Sequence, residues 1–298
     1  MSLDHIIPRF VLKGYALNPS AKANELEIRI LDRKTKDISV EKIKEAYAIK
    51  DFNSEQTERL LCEEYETKVA RIFQRIKKRA EDNENHVVLS NGEYKLLFRF
   101  FVIMWRRNDI HVDKSKALLE DFFNLFRIMC GDNLQNMLKS EYRDVDINQI
   151  MEEALNKHMK ALYDKTIGPT NENDPTVRKT ILNYKPIIIY NKSNINFTLH
   201  NTYGTTIYSV ESGRMPDDID MPTHIIEPIS NKLCFALFFT SEKVSLEEKT
   251  YKISIQKIED DNYIKKYYIE GYITGQATSF VVDDTNVEIV KAKISAEE

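Results

Sequence analysis

The chain has 298 residues, of which 42% are apolar and 30% are charged, and this composition is ordinary for a folded globular protein. Its 43 basic and 47 acidic residues give a net charge of -4. That charge excludes a coat that covers DNA regardless of sequence, but it leaves room for a local basic cleft.

The cysteines lie far apart in apolar stretches and form no Cys-x-x-Cys pair, which excludes a zinc knuckle or a thioredoxin-like motif. They are Cys62, Cys130 and Cys234. We interpret all three as reduced core thiols, which are typical of a reducing compartment.

The N-terminus does not read as a secretory signal, because Asp4, His5 and Arg9 interrupt any apolar run. The longest apolar stretch, residues 96–105, is far shorter than the roughly 20 residues that a membrane-spanning helix needs. We therefore expect a cytoplasmic protein with no membrane contact.

Residues 1–53 are predicted to form a lead-in segment followed by a β-hairpin. Polar and apolar residues alternate over residues 25–31, residues 32–37 supply a polar turn, and residues 38–40 begin the returning strand.

Residues 54–184 are predicted to be helical. Ser54 caps a helix whose apolar face repeats at helical spacing as far as residue 76. Ser90 and Glu93 form a capping box at the start of the most apolar helix. Further helices are predicted over residues 113–131 and 146–168, and another begins at Pro175.

Residues 185–298 are predicted to be rich in β-structure, because the apolar period changes from 3.6 to 2 near Lys185. The predicted strands cover residues 186–190, 195–200, 205–210, 233–239, 251–255, 279–282 and 287–290. Residues 211–224 read as a loop, and a late helix is predicted over residues 260–276. The fold class is α+β: an N-terminal hairpin, a central helical bundle and a C-terminal mixed or antiparallel sheet with one late helix, all in one integrated domain.

Glycine-rich nucleotide motifs, a nucleophile elbow and a His-Glu-x-x-His pair are all missing from the sequence. The six histidines are scattered, so a metal site would need residues from distant segments. The cofactor is therefore unknown, with a divalent metal as one option.

His5 is the first candidate site residue, since an imidazole placed under the helical bundle could act as an acid or base near neutral pH. The structural alternative is a buried histidine that hydrogen-bonds a carbonyl and anchors the terminus. Arg9, four residues later, could bind an anion or pair with a helix carboxylate.

Glu63, Glu64 and Glu66 form an acidic run in which the first and last members share a helix face, as paired catalytic or metal-binding carboxylates could. The alternative is a solvated helix edge. Arg106 and Arg107 end the most apolar helix, where arginine can cap carbonyl groups or hold an anion.

His200 and Asn201 end a predicted strand, which is a usual place for site residues, although a single histidine there also has a structural interpretation.

Taken in order, these segments resemble a mainly bacterial family known as a domain of unknown function, number four-two-three-eight. The family opens with a His-x-x-Pro-x-Phe-x-Leu segment, matched here by His5, Pro8, Phe10 and Leu12. An aromatic follows at Tyr15, and residues 50–52 are similar to the family's Lys-Asp-Phe stretch.

The resemblance also covers later positions. Glu66 matches a family glutamate and Arg107 a family arginine, whereas Met104 stands where the family tends to have glutamine. Residues 200–202 replace the family's Asp-Asn-Pro, so chemistry that needs the aspartate is in doubt. Residues 226–233 and 279–282 resemble its C-terminal strands.

The leading functional hypothesis is a nuclease of the phage-defence or toxin type that acts on nucleic acid. Its site would combine His5 or Glu66 as the general base, Arg107 to stabilise phosphate charge, and His200. The alternative is a non-enzymatic module that binds a ligand or a protein. A third interpretation makes His5, Glu66 and Arg107 a buried structural network.

Overall fold

A computed structural model describes residues 3–50, 54–106, 174–202, 205–207, 224–240, 242, 244–273 and 277–298, with isolated helical positions between 117 and 161. The helices are α1 (Arg9–Lys13), α2 (Glu55–Leu60), α3 (Thr67–Glu81), α4 (Asn91–Arg106), α5 (Pro175–Asn183), α6 (Asp261–Tyr263) and α7 (Val287–Glu297). Two π-helical segments extend them: Leu61–Glu66 joins α2 to α3, and Ile264–Glu270 continues α6.

The strands are β1 (Leu3–His5), β2 (Glu27–Asp32), β3 (Ile38–Lys42), β4 (Ala48–Lys50), β5 (His86–Ser90), β6 (Tyr184–Asn191), β7 (Leu199–His200), β8 (Thr205–Ile207), β9 (His224–Pro228), β10 (Leu233–Phe239), β11 (Thr250–Ile258) and β12 (Ser279–Val282). Helices and strands are both abundant, so the predicted α+β class is confirmed.

A six-stranded mixed sheet in the order β5-β11-β6-β10-β9-β8 forms the centre of the fold. The pair of β11 and β6 is parallel, and the remaining pairs are antiparallel. Neighbouring residues of its central strands face opposite sides, so Ile188 and Phe235 belong to one apolar core while Ile189 and Cys234 belong to the other. Burial on both faces explains why these strands read as continuous apolar runs.

The predicted hairpin is the pair of β2 and β3, in which Arg29 is opposite Val40. Its turn is stabilised by Asp32, whose carboxylate accepts a hydrogen bond from the backbone N–H of Thr35 at 2.8 Å. β12 adds to the other side of β2, and β7 pairs with β12. One four-stranded sheet therefore contains strands from both ends of the chain.

Helices α3 and α4 cover one face of the central sheet. Phe101 of α4 stacks on Phe235 with ring centroids 4.4 Å apart, and Phe73 of α3 meets the same ring edge-on at 6.3 Å. Full burial of such side chains contributes roughly 2 kcal/mol each to folding. The capping box predicted before α4 is confirmed, because the N–H of Ser90 donates to Glu93 Oε2 at 2.9 Å.

The second core lies on the opposite face of the sheet, where the π-helical segment 264–270 and α7 pack. The late helix is confirmed as α6 together with that segment, and the Asp260 carboxylate caps its start. Residues 287–290, predicted as a strand, are instead the first turn of α7. Val287, Val290 and Ile294 are its buried residues, at the three- and four-residue spacing of a helix.

Other predictions were wrong or fall outside the described residues. Cys234 is buried as expected, but Cys62 is exposed, because it lies on the solvent side of the π-helical segment 61–66. The positions not described include Cys130, Arg107, most of the helices predicted over residues 113–131 and 146–168, and most of the loop over residues 211–224. Within the described part of the chain, no helix is both long and apolar enough to cross a membrane.

Candidate anion-binding cleft

Helices α3, α4 and α5, with the end of β5, line a cleft of about 1250 Å³. Among the described residues, six basic side chains and two carboxylates line it, so this lining has an excess of positive charge in a chain of net charge -4. The basic residues are Lys68, Arg71, Arg75, Lys95, Arg99 and Arg178. The chain thus concentrates cations at one place.

The spacing of the residues on α3 directs its cations into the cleft. Lys68, Arg71 and Arg75 are three and four residues apart and therefore share one helix face. Apolar residues of the same helix that do not line the cleft, among them Val69 and Ile76, are buried in the core. One amphipathic helix thus supplies a core face and a row of cations.

Arg99 of α4 is held in place by the π-helical segment that precedes α3. Its guanidinium donates to the hydroxyl of Tyr65 at 2.6 Å and lies 5.2 Å from the centroid of the tyrosine ring. Tyr65 is buried at its ring, so the arginine has a fixed position at the wall of the cleft. Lys95, one turn earlier on α4, lies on the same face.

Helix α5 closes the third side of the cleft. The carboxylate of Asp174 caps it by accepting from the N–H groups of Thr176 and Val177 at 2.7 and 3.3 Å. Val177 and Ile181 form part of the apolar lining, and Arg178 is exposed beside them. The cleft therefore has apolar patches between its cations.

The two carboxylates of the cleft are both engaged. Glu64 pairs with Lys68, and Glu93 accepts from Arg75 at 2.8 Å and from Ser90. Partial burial raises the pKa of Glu93, but the hydrogen bonds from Ser90 and Arg75 outweigh that effect and lower it overall. Glu93 is therefore ionised at neutral pH.

Four cations of the cleft have no carboxylate partner among the described residues: Arg71, Lys95, Arg178 and Arg99, of which Arg99 donates to the Tyr65 hydroxyl instead. They come from three different helices, and each is accessible to solvent at least in part. Unpaired cations that converge on one cleft are the arrangement that binds an anion with several charged groups.

The sequence model of one family, described as a protein of unknown function (DUF4238), matches residues 4–291. The chain belongs to this family. The match confirms the resemblance indicated by His5, Pro8 and Phe10, and it spans the cleft helices together with both sheets. No curated protein and no solved structure matches the chain.

His5, the first residue of the DUF4238 segment, is buried in β1. Its Nε2 lies 3.0 Å from the carbonyl oxygen of Ile43, so that nitrogen carries the proton and donates. A buried histidine bonded to a carbonyl anchors the N-terminal segment to the loop after β3. Its predicted role as a general base stays a prediction, and this geometry favours the structural alternative.

His200 is fully buried at the end of β7. Its ring stacks on Tyr272 at a centroid distance of 4.2 Å, and its Nδ1 shares a hydrogen bond with the hydroxyl of Thr202 at 2.6 Å. Burial lowers the pKa of His200 to about 3, although hydrogen bonds to backbone groups oppose the shift. The ring is therefore neutral at physiological pH and closed to solutes in this conformation.

The remaining predicted site residues that the structure describes, Glu66 and Arg9, do not line the cleft. Glu66 is half-buried and lines a separate groove on the other side of α3. Arg9 is half-buried, and its Nε has no hydrogen-bond partner among the described residues. Arg106 is the last residue of α4, with a side chain outside the described atoms, and Arg107 lies beyond the described residues. The described part of the chain holds no cluster of three metal-ligating side chains.

The cations of the cleft were missed as a site in the sequence. Lys68, Arg71 and Arg75 are not among the site residues predicted from the sequence. Their spacing of three and four residues, which places them on one helix face, is the pattern from which they could have been grouped. The convergence with α4 and α5 could not be predicted, because nothing local relates residues 68–75 to residue 178.

Proposed function

We propose that the chain binds a nucleic-acid strand in the basic cleft. The observation that carries the proposal is the convergence of Arg71, Lys95 and Arg178 from three helices, none of them paired with a carboxylate in the described structure. Phosphates spaced along a strand are anions that such separate cations can contact together.

The size of the cleft supports an extended ligand. At about 1250 Å³ it exceeds the roughly 300–1,000 Å³ typical of small-molecule sites. Because the whole chain is acidic, attraction for a polyanion depends on local concentrations of cations such as this cleft. The apolar residues Val177 and Ile181 add surface that a nucleotide base or sugar can cover.

Binding is tested with labelled single-stranded and duplex RNA and DNA by fluorescence anisotropy. We expect Arg71→Glu and Arg178→Glu each to weaken binding by at least about fivefold, because this factor corresponds to the free energy of one exposed charge contact. Lys78→Glu and Lys179→Glu are matched controls, since these exposed lysines lie on the same helices outside the cleft. Equal losses in the controls and in the cleft variants would contradict the proposal.

Phosphodiester hydrolysis in the same cleft is the second candidate function. The carboxylate of Glu64 lies among the cleft cations, where a carboxylate can act as a general base while arginine stabilises phosphate charge. Incubation of labelled RNA and DNA with wild-type protein and Glu64→Gln, with and without Mg²⁺ or Mn²⁺, separates the two functions. Binding without cleavage supports the non-enzymatic alternative; cleavage that Glu64→Gln abolishes supports the nuclease.

A further inference from the structure

A second groove, of about 550 Å³, lies on the opposite side of α3 between that helix, α1 and the turn before β10. We call it the α1–α3 groove. Its apolar lining comprises Phe10, Ala70, Phe73, Ile229 and Leu233. Its polar and charged lining includes Lys13, Cys62, Glu66, Arg71, Gln74 and Lys77.

The apolar floor is rigid because it continues into the main core. The ring of Phe10 stacks on Phe73 at 6.4 Å and tilts against Phe100 at 5.7 Å. Phe10 is nevertheless only half-buried, so part of its surface remains open to the groove. An apolar group placed there would cover aromatic surface that water now contacts.

One end of the groove is closed by a tight contact between the end of α1 and the turn before β10. The carbonyl of Gly14 accepts from the N–H of Asn231 at 3.2 Å. A Cβ at Gly14 would lie 2.5 Å from the Cβ of Ser230, so only glycine permits this approach. The groove therefore ends at this contact.

The charges around the groove select an anion. Lys13 is exposed and has no carboxylate partner within the described structure, whereas Lys77 forms an ion pair with Glu81 at 3.8 Å. Among the described residues of the lining, Glu66 is the single carboxylate, against three basic residues. A volume of about 550 Å³ falls within the range typical of small-molecule sites.

We propose that the α1–α3 groove binds a small carboxylic acid with an aromatic or branched apolar body. The apolar part lies on Phe10 and Ala70, and the carboxylate faces Lys13 and Lys77. Glu66 limits the charge that the groove accepts, because it repels a second negative group. This groove is distinct from the basic cleft, although Arg71 lines both of them.

Cys62 provides a direct reporter of occupancy. Its thiol is exposed, lines the groove and lies 3.6 Å from Glu58 Oε1, whereas Cys234 is fully buried. The rate of Cys62 alkylation by iodoacetamide can be followed by peptide mass mapping on the full chain. We expect 2-naphthoate to slow that rate in a saturable manner, and we expect acetate and neutral 2-naphthamide to have no effect at equal concentration.

Three variants make the test specific. Lys13→Glu weakens the protection by about fivefold, and Glu66→Gln strengthens it by a similar factor, because the two changes shift the charge in opposite directions. Lys22→Glu alters an exposed lysine outside the groove and leaves protection unchanged. The proposal is overturned if 2-naphthoate gives no protection, if the neutral amide protects equally, or if Lys13→Glu and Lys22→Glu behave alike.

Discussion

Replacing Glu227 by glutamine is expected to stabilise the protein at neutral pH and to change how its stability depends on pH. Glu227 lies on β9 with 1% of its surface exposed, and its Oε2 has no hydrogen-bond partner in the described part of the chain. Burial raises the pKa of Glu227 well above its ordinary value. The folded protein therefore keeps a proton that the unfolded chain releases.

The sign and size follow from proton linkage. A raised folded-state pKa gives stability that is fully present below the unfolded pKa, about 4.3 for glutamate, and is lost as pH rises towards the folded pKa. Each pH unit in that window removes about 1.4 kcal/mol from the free energy of unfolding. Glu227→Gln has no such loss. In this window its free energy of unfolding therefore rises relative to that of the wild type by about 1.4 kcal/mol per pH unit.

Urea unfolding of both proteins at several values between about pH 5 and about pH 7 measures this difference. His200 also makes the stability of both proteins depend on pH, because the unfolded chain takes up a proton that the buried ring does not. The difference between the two proteins at each pH removes this shared contribution. Glu247→Gln is the control for the substitution itself, because Glu247 lies at an exposed position. A Glu227→Gln advantage that stays constant with pH would refute the assignment of a buried, protonated carboxyl group.

Three further predictions concern the cleft, the buried histidine and the start of α4. Tyr65→Phe removes the hydroxyl that accepts from Arg99, and we expect it to weaken RNA binding, measured by fluorescence anisotropy. An unchanged affinity would contradict the role of Tyr65 in positioning Arg99. The folded pKa of His200 is about 3, so the stability that this residue contributes is lost as pH falls below the ordinary histidine value of 6.5. In His200→Gln the free energy of unfolding should therefore fall less steeply at acid pH than in wild type. Equal slopes for the two proteins would contradict burial of the neutral ring. Ser90→Ala removes the hydroxyl that accepts from the N–H of Glu93 and should lower the free energy of unfolding, measured in urea, by about 1 kcal/mol. An unchanged free energy of unfolding would contradict the capping box.

Local signals in the sequence were sufficient for the elements that local chemistry determines. The hairpin of β2 and β3 follows from alternation and from the Asp32 turn, and the start of α4 follows from Ser90 and Glu93. Strand β10 was recognised as a continuous apolar run because both of its faces are buried. In each case the interactions that decide the structure lie within a few residues of one another or within a single strand.

Elements that depend on distant partners were predicted poorly. Residues 287–290 alternate enough to suggest a strand, and only the continuation to Ile294 shows the helical spacing of α7. Strand β5 was not predicted, because five residues acquire strand structure only through their pairing with β11. His200 reads as an open strand end in the sequence, whereas Tyr272, more than seventy residues later, covers it.

In the candidate cleft, too, local features could be predicted from the sequence and long-range ones could not. The cations of α3 share a face that helical spacing alone reveals, so Lys68 and Arg71 could have been grouped from the sequence. The position of Arg178 opposite them depends on how α5 packs beside α4, which is a property of the tertiary fold. The net charge left room for a local basic cleft, but it could not indicate which cations would form one.

The dependence of RNA binding on salt tests the central claim most directly. We compare wild-type protein with a variant in which Arg71, Lys95 and Arg178 are all alanine, using a single-stranded RNA across a range of salt concentrations. If these cations contact phosphates, the slope of log K against log salt decreases by about 2 in the variant, because each lost contact with a single strand removes about 0.7. Equal slopes for the two proteins would contradict the account.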